Sequence, residues 1–180
     1  IAEALRASGE RQSPILSLLP DNAKLCVTIT KRYGRDMPAA QQLTNLADMV
    51  RDRAKSRGDA LAYEFEGRQT SFTEFDTKTN RVANALIAMG VRKGERIAYL
   101  GKNSDFYFEL LMGAMKAGVV MAPVNWRLAG PEVAFIVDDC KAPLLFVGPE
   151  FVTQARNISD KLPSVRSIIT TEGGAPEWPD

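Results

Sequence analysis

The sequence predicts an α/β protein, a mainly parallel sheet with flanking helices plus a β-hairpin, and three observations carry that expectation. Short apolar runs of strand length (96–100, 119–124, 144–147 and 165–170) alternate with stretches whose apolar residues recur at helical spacing. Strands that alternate with helices are joined by right-handed crossovers and pair in parallel. Ahead of them lie two short runs, 60–66 and 69–72, separated by Gly67-Arg68, a spacing that suits a two-residue hairpin turn.

The elements follow in order. Thr44 or Asn45 is placed to cap a first helix whose apolar positions Leu46, Met49, Val50 and Ala54 share a face, and Gly58 ends it. After the hairpin, Thr73 with Asp76 three residues on forms a weak variant of the capping box. The helix it opens carries Phe75, Val82, Leu86 and Met89 on one side, with Gly90 as its left-handed close. Strand 96–100 then passes through Gly101-Lys102-Asn103-Ser104, a capped turn, into a helix that runs to about Ala117. The small residues at its end, Gly113-Ala114-Met115-Lys116-Ala117-Gly118, are expected to let the helix approach the sheet. The strand 119–124 opens onto Asn125-Trp126-Arg127-Leu128. Pro131 begins the next helix, where its missing N–H costs nothing. Strand 144–147, a helix over 149–162 and strand 165–170 complete the series.

Composition narrows the chemistry. The 180 residues are 45% hydrophobic and 25% charged, with 23 basic and 22 acidic side chains for a net charge of +1, so no global field points to nucleic acid or an anionic membrane. The basic cluster Arg51, Arg53, Lys55, Arg57 is interrupted by Asp52 and reads as a solvated helix face. The absence of histidine removes His-based triads and His-based zinc sites from these residues. The two cysteines, Cys26 and Cys140, lie far apart in no metal or redox spacing. Together with the lack of an apolar run of membrane-spanning length, this leads to the expectation of a cytoplasmic protein without a transmembrane segment. Residues 1–36 carry no sustained pattern and the first methionine is Met37. They are expected to be a non-native or disordered extension, and 37–180 the folded part.

Few side chains are candidates for function. Gly101–Ser104 lacks both the Gly-x-x-x-x-Gly-Lys-Ser/Thr and the Gly-x-Gly-x-x-Gly spacing of phosphate loops. Asp138 and Asp139 are adjacent on a helix, so they do not converge on one metal or substrate. Trp126 is an aromatic beside a strand end, which more often covers the core than stacks on a base. Arg127 stands out because a guanidinium at the carboxyl end of a parallel strand sits where α/β folds bind ligands.

Residues 115–125, Met-Lys-Ala-Gly-Val-Val-Met-Ala-Pro-Val-Asn, resemble the Lys-Ala-Gly...Pro-hydrophobic-Asn/Asp motif of the acyl-adenylate-forming, or AMP-binding, superfamily. Residues 70–75, Thr-Ser-Phe-Thr-Glu-Phe, resemble its earlier Leu-Thr/Ser-Tyr-x-Glu-Leu motif. The spacing between them also fits, and the Asn-Trp-Arg-Leu ending is most similar to fatty-acid acyl-CoA synthetases.

The resemblance covers Leu43 to about Thr171 and implies the incomplete front portion of the family's large N-terminal domain. It implies a parent reaction in which a fatty or other carboxylic acid attacks the α-phosphate of ATP with Mg2+ assistance, and CoA then displaces AMP. It also implies that Arg127 contacts the nucleotide part of CoA. The family's Ser/Thr/Gly-rich phosphate loop, acidic magnesium ligand, ribose-binding aspartate and catalytic lysine have no counterpart in these 180 residues. The expectation is therefore a segment with no catalytic residue or metal site of its own and no tight cofactor binding, inactive without the remainder of the ligase chain. A free-standing interaction or regulatory remnant on the same scaffold is the alternative. An unrelated nucleotide-binding α/β domain would need a phosphate-loop fingerprint, which is not found.

Overall fold

The computed structural model describes residues 45–171, 173 and 175–179. The expectations for residues 1–36 and for a start at Met37 lie outside the described residues. The elements are α1 (Leu46–Arg57), β1 (Leu61–Phe65), β2 (Arg68–Ser71), α2 (Phe72–Ala88), β3 (Arg96–Leu100), α3 (Asp105–Ala117), β4 (Val120–Val124), α4 (Gly130–Asp139), β5 (Leu144–Val147), α5 (Val152–Arg156) and β6 (Ser167–Thr170). Among the described residues no helix is long and apolar enough to cross a membrane.

Four strands form a fully parallel sheet in the order β4-β3-β5-β6. Alternate side chains of β3 feed two separate cores. Ile97 and Tyr99 pack with Leu86 of α2, Leu110 and Ala114 of α3, and Leu144 and Phe146 of β5. Ala98 and Leu100 point the other way, to Val133 and Val137 of α4 and Val152 and Ala155 of α5. The result is a three-layer sandwich in which both faces of the sheet are covered, which is why β5 is buried at all four positions and reads as an unbroken apolar run.

α1 and the hairpin do not join the sheet. They pack on the outside of α2 and α3 around Val50, Phe75 and Met112. Tyr63 meets Phe75 edge-on at 5.2 Å, and Phe75 stacks on Phe108 at 4.9 Å. Arg68 of β2 forks onto Asp105 at the start of α3 with contacts of 3.0 and 3.1 Å. The Tyr63 hydroxyl donates to Glu109, which also accepts from Lys78 at 2.8 Å. Burial and the Glu109 carboxylate both push the Tyr63 phenol above its ordinary pKa.

Several local expectations are met and four are corrected. Asn45 caps α1 by accepting from the Asp48 N–H, and Ser104 caps α3 by accepting from the Tyr107 N–H. Gly90 (φ 74°) and Gly118 (φ 70°) are left-handed helix ends.

The hairpin turn, however, is Glu66-Gly67, one residue earlier than expected, with Arg68 already paired to Phe65. Both turn residues have positive φ (49° and 79°), the type I′ geometry whose twist matches the strands. The cap of α2 is Ser71 rather than Thr73. The Ser71 Oγ accepts from the Glu74 N–H and the Glu74 carboxylate from the Ser71 N–H, a full capping box that the Thr73–Asp76 pairing missed.

The third correction concerns residues 149–162, which are not one helix but α5 between 3-10 turns at Pro149–Phe151 and Ser159–Lys161. The Ser159 hydroxyl donates to the Arg156 carbonyl and competes with the helical ladder there. The fourth is that Gly113 serves a helix–helix contact, not a helix–sheet one. A β-carbon at 113 would fall 2.4 Å from Val82 Cγ1 and 3.0 Å from the Thr79 carbonyl oxygen of α2. Ala114, the next residue, makes the approach to the sheet.

Candidate functional site

The sheet order creates a topological switch point. From β3 the chain crosses through α3 to β4 on one side, then through α4 to β5 on the other, so the loops after β3 and β5 diverge from neighbouring strands. In open α/β sheets such a place, outside the carboxyl ends of the strands, is where ligands lodge.

Two glycines shape it. Beyond the paired residues the Gly148 N–H donates to the Leu100 carbonyl at 2.9 Å. A β-carbon on Gly148 would lie 3.3 Å from Gly101 Cα, and one on Gly101 would lie 2.6 Å from the Tyr99 hydroxyl oxygen. That hydroxyl donates to the Lys102 carbonyl at 2.8 Å, so the backbone of the β3 exit is pinned from beneath.

The loop after β4 brings Trp126 and Arg127 to the same edge. It is ordered by Asn125, whose Oδ1 accepts from the Arg127 N–H at 3.1 Å, and by Gln154 of α5, which donates to the Leu128 carbonyl at 2.8 Å. Trp126 rests on Phe151, ring centres 5.7 Å apart, and caps the α4–α5 core. The exposed Arg127 guanidinium lies 4.2 Å from the Trp126 ring centre. The Lys102 ammonium lies 6.0 Å from the same ring and 3.0 Å from Glu150 Oε1. Lys102 in turn holds the Glu150 carboxyl below its ordinary pKa. One indole plate thus has two cations beside it, one of them already engaged with a carboxylate.

Arg127 therefore stands at the sheet's carboxyl edge, and Trp126 both covers core and backs the guanidinium. Gly101–Ser104 is the capped turn expected, with Ser104 as its cap, whereas the nearness of Lys102, Gly148 and Glu150 to one another was not foreseen. The signal was present in the strand series: β3 is the strand whose two neighbours are reached in opposite directions, and Lys102 follows it. Asp138 and Asp139 remain apart from this edge, and Asp138 pairs with Lys141 at 2.9 Å, which lowers its pKa and offsets its place near the C-terminal end of α4. Among the described residues no three Cys, Asp or Glu side chains gather to hold a metal ion. A recess between α2 and the β5–β6 edge, walled by Val82, Leu86, Phe106, Phe146 and Ile169, is almost wholly apolar. It offers burial without convergent polar groups.

The family described as AMP-binding enzyme matches residues 50–179. A fatty acid–[acyl-carrier-protein] ligase of Streptomyces coeruleorubidus is 42% identical over 110 residues, 61% of this chain and 21% of that protein. An indoleacetate–CoA ligase of Aromatoleum aromaticum is 38% identical over 123 residues, 68% of this chain and 24% of that one. Among solved structures, a fatty acyl CoA synthetase of Mycobacterium tuberculosis superposes with a TM-score of 0.68 at 32% identity, covering 71% of this chain and 26% of that one. The chain thus spans about a quarter of the length of the relatives it matches.

Proposed function

The chain belongs to the AMP-binding enzyme family, and on that premise we propose that it is the front part of the nucleotide-binding domain of an ATP-dependent acid–thiol ligase. The parent reaction is adenylation of a fatty or other carboxylic acid followed by thioester formation with CoA. This segment supplies the three-layer scaffold and one edge of the CoA entrance.

The observation that carries the reading is the placement of Arg127 over Trp126 at the carboxyl edge of the sheet, next to Lys102. A planar aromatic backing a guanidinium suits a phosphorylated nucleotide. The guanidinium offers forked donors to phosphate oxygens, and each charge-assisted bond is worth about 1.5–3 kcal/mol. The indole keeps the guanidinium in one orientation, so less side-chain freedom is lost on binding.

ATP and Mg2+ belong to the adenylation step of the complete ligase. The remainder of the ligase chain is proposed to supply the phosphate loop and the acidic metal ligand for that step.

Pyrophosphate release tests the proposal at the level of the whole chain. The purified 180-residue protein, given Mg-ATP, a fatty acid and CoA, is expected to release none, while the complete ligase carrying this segment turns over. Release by the 180-residue chain would overturn the assignment to scaffold and entrance.

A further inference from the structure

The Lys102–Glu150 pair has a position that a merely structural ion pair does not need. It spans the switch point, joining the residue after Gly101 at the exit of β3 to the turn after Gly148 at the exit of β5. Both side chains are about half exposed, 56% for Lys102 and 49% for Glu150. A pair that open to water contributes little to stability and is exchanged at small cost, because each partner is rehydrated when the other leaves. The backbone beneath Lys102 is fixed by the Tyr99 hydroxyl, so only the side chain is free to move.

Its alternative destination is close. The Lys102 ammonium and the Arg127 guanidinium flank the same indole at 6.0 and 4.2 Å, so at most about 10 Å separates the two cationic centres. A phosphate seated against Arg127 stands within the sweep of a lysine side chain pivoting about its fixed backbone. A phosphate monoester dianion also attracts an ammonium more strongly than one carboxylate does.

We propose that Lys102 is a second, movable cation of the Trp126–Arg127 site, held by Glu150 in the empty protein and transferred to the phosphate of a phosphorylated nucleotide when one binds. Glu150 then sets the affinity as a competitor for the lysine. The inference rests on the reading of Arg127 as a nucleotide contact and adds to it a residue pair and an exchange. No covalent step is involved.

The test is an NMR titration of the 15N-labelled 180-residue chain at low ionic strength, following the Trp126 indole N–H. CoA, dephospho-CoA and inorganic phosphate are the probes. Lys102→Ala is expected to weaken CoA binding about threefold to tenfold, the range of one exposed charge contact, and Lys102→Arg to restore it. Glu150→Gln is expected to tighten CoA binding by a similar factor, with a clearly smaller gain when Lys102 is already alanine. An equal gain in both backgrounds would show that Glu150 acts by simple repulsion and would overturn the exchange.

If Arg127→Ala abolishes the CoA response while the Lys102 and Glu150 variants behave like wild type, this inference falls and the Arg127 reading stands. If CoA leaves the Trp126 signal unmoved in the wild-type chain, both fall. Inorganic phosphate binding as tightly as CoA would rule out the phosphorylated nucleotide as the ligand, and dephospho-CoA doing so would rule out the phosphate monoester as the group that draws Lys102 and overturn the exchange. Wild-type-like spectra of each variant before ligand is added establish that it is folded.

Discussion

The Lys116 side chain is 1% exposed, and its ammonium is held 2.5 Å from Asp76 Oδ1 between α3 and α2. It donates as well to the Asp76 carbonyl at 3.1 Å and to Asn80 Oδ1 at 2.8 Å. Burial pulls the Lys116 pKa down, and the Asp76 carboxylate opposes that pull. The lysine of the Lys-Ala-Gly motif is therefore a bolt between two helices. Lys116→Ala is expected to cost about 1.5–3 kcal/mol in urea unfolding, because it strips a charged donor from Asp76 and Asn80. Lys116→Met, which keeps the apolar stem, should cost less. A loss under about 0.5 kcal/mol for the alanine variant would show the bolt to be idle.

Gly113 predicts a second helix-pair phenotype. Gly113→Ala adds a methyl group where Val82 and the Thr79 carbonyl already sit, and overpacking of that kind costs about 1–3 kcal/mol. Val82→Gly, which removes both the Cγ1 and the Cβ contacts at 2.4 and 2.5 Å, should recover part of it in a double-mutant cycle. Additive losses from the two substitutions would mean that the glycine serves something other than this approach.

The capping box of α2 gives an acid-side prediction. The Ser71 N–H and hydroxyl hold the Glu74 carboxyl below its ordinary pKa. A carboxyl whose folded-state pKa is depressed contributes stability that is present above its unfolded value, about 4.5, and is lost as pH falls through the folded value. Glu74→Gln keeps an acceptor for the Ser71 N–H but cannot titrate. Melting temperatures recorded from pH 7 to pH 3 should fall less steeply for the glutamine variant, and parallel curves would refute the contribution.

Arg127 makes a kinetic prediction in the complete ligase. Arg127→Ala should raise the KM for CoA about tenfold, one charge-assisted contact, and leave acyl-adenylate formation unchanged. Arg127→Lys should fall between, since an ammonium keeps the charge but loses the fork. A changed rate of ATP–pyrophosphate exchange, with KM for CoA unmoved, would place the residue elsewhere in the reaction.

What was legible in the sequence, and what was not, divides along physical lines. The strand series was readable because β3 and β5 are buried on both faces, which leaves apolar runs in the one-dimensional pattern, and because the exposed edge strand β4 keeps an apolar run of its own. The start of α2 was not, because Ser71 sits at the end of β2 and doubles as helix cap, so strand and helix share a residue with no linker between them. The break in 149–162 escaped because a single serine hydroxyl competing for a carbonyl leaves the apolar spacing intact. At the site, Arg127 was visible from its place after a strand. Lys102 and Glu150, which lie 48 positions apart in the chain, became partners only once β3 and β5 were known to be neighbours.

The Glu66-Gly67 turn has one more consequence. Nothing lies within 4 Å of where a Gly67 side chain would begin, while the strands below it are anchored to α3 through Arg68 and Tyr63. Free space above a secured base is what an inserted tag requires. A short peptide epitope or a cysteine for a fluorophore, spliced between Glu66 and Gly67, would report on the molecule from outside while the switch-point edge keeps its shape.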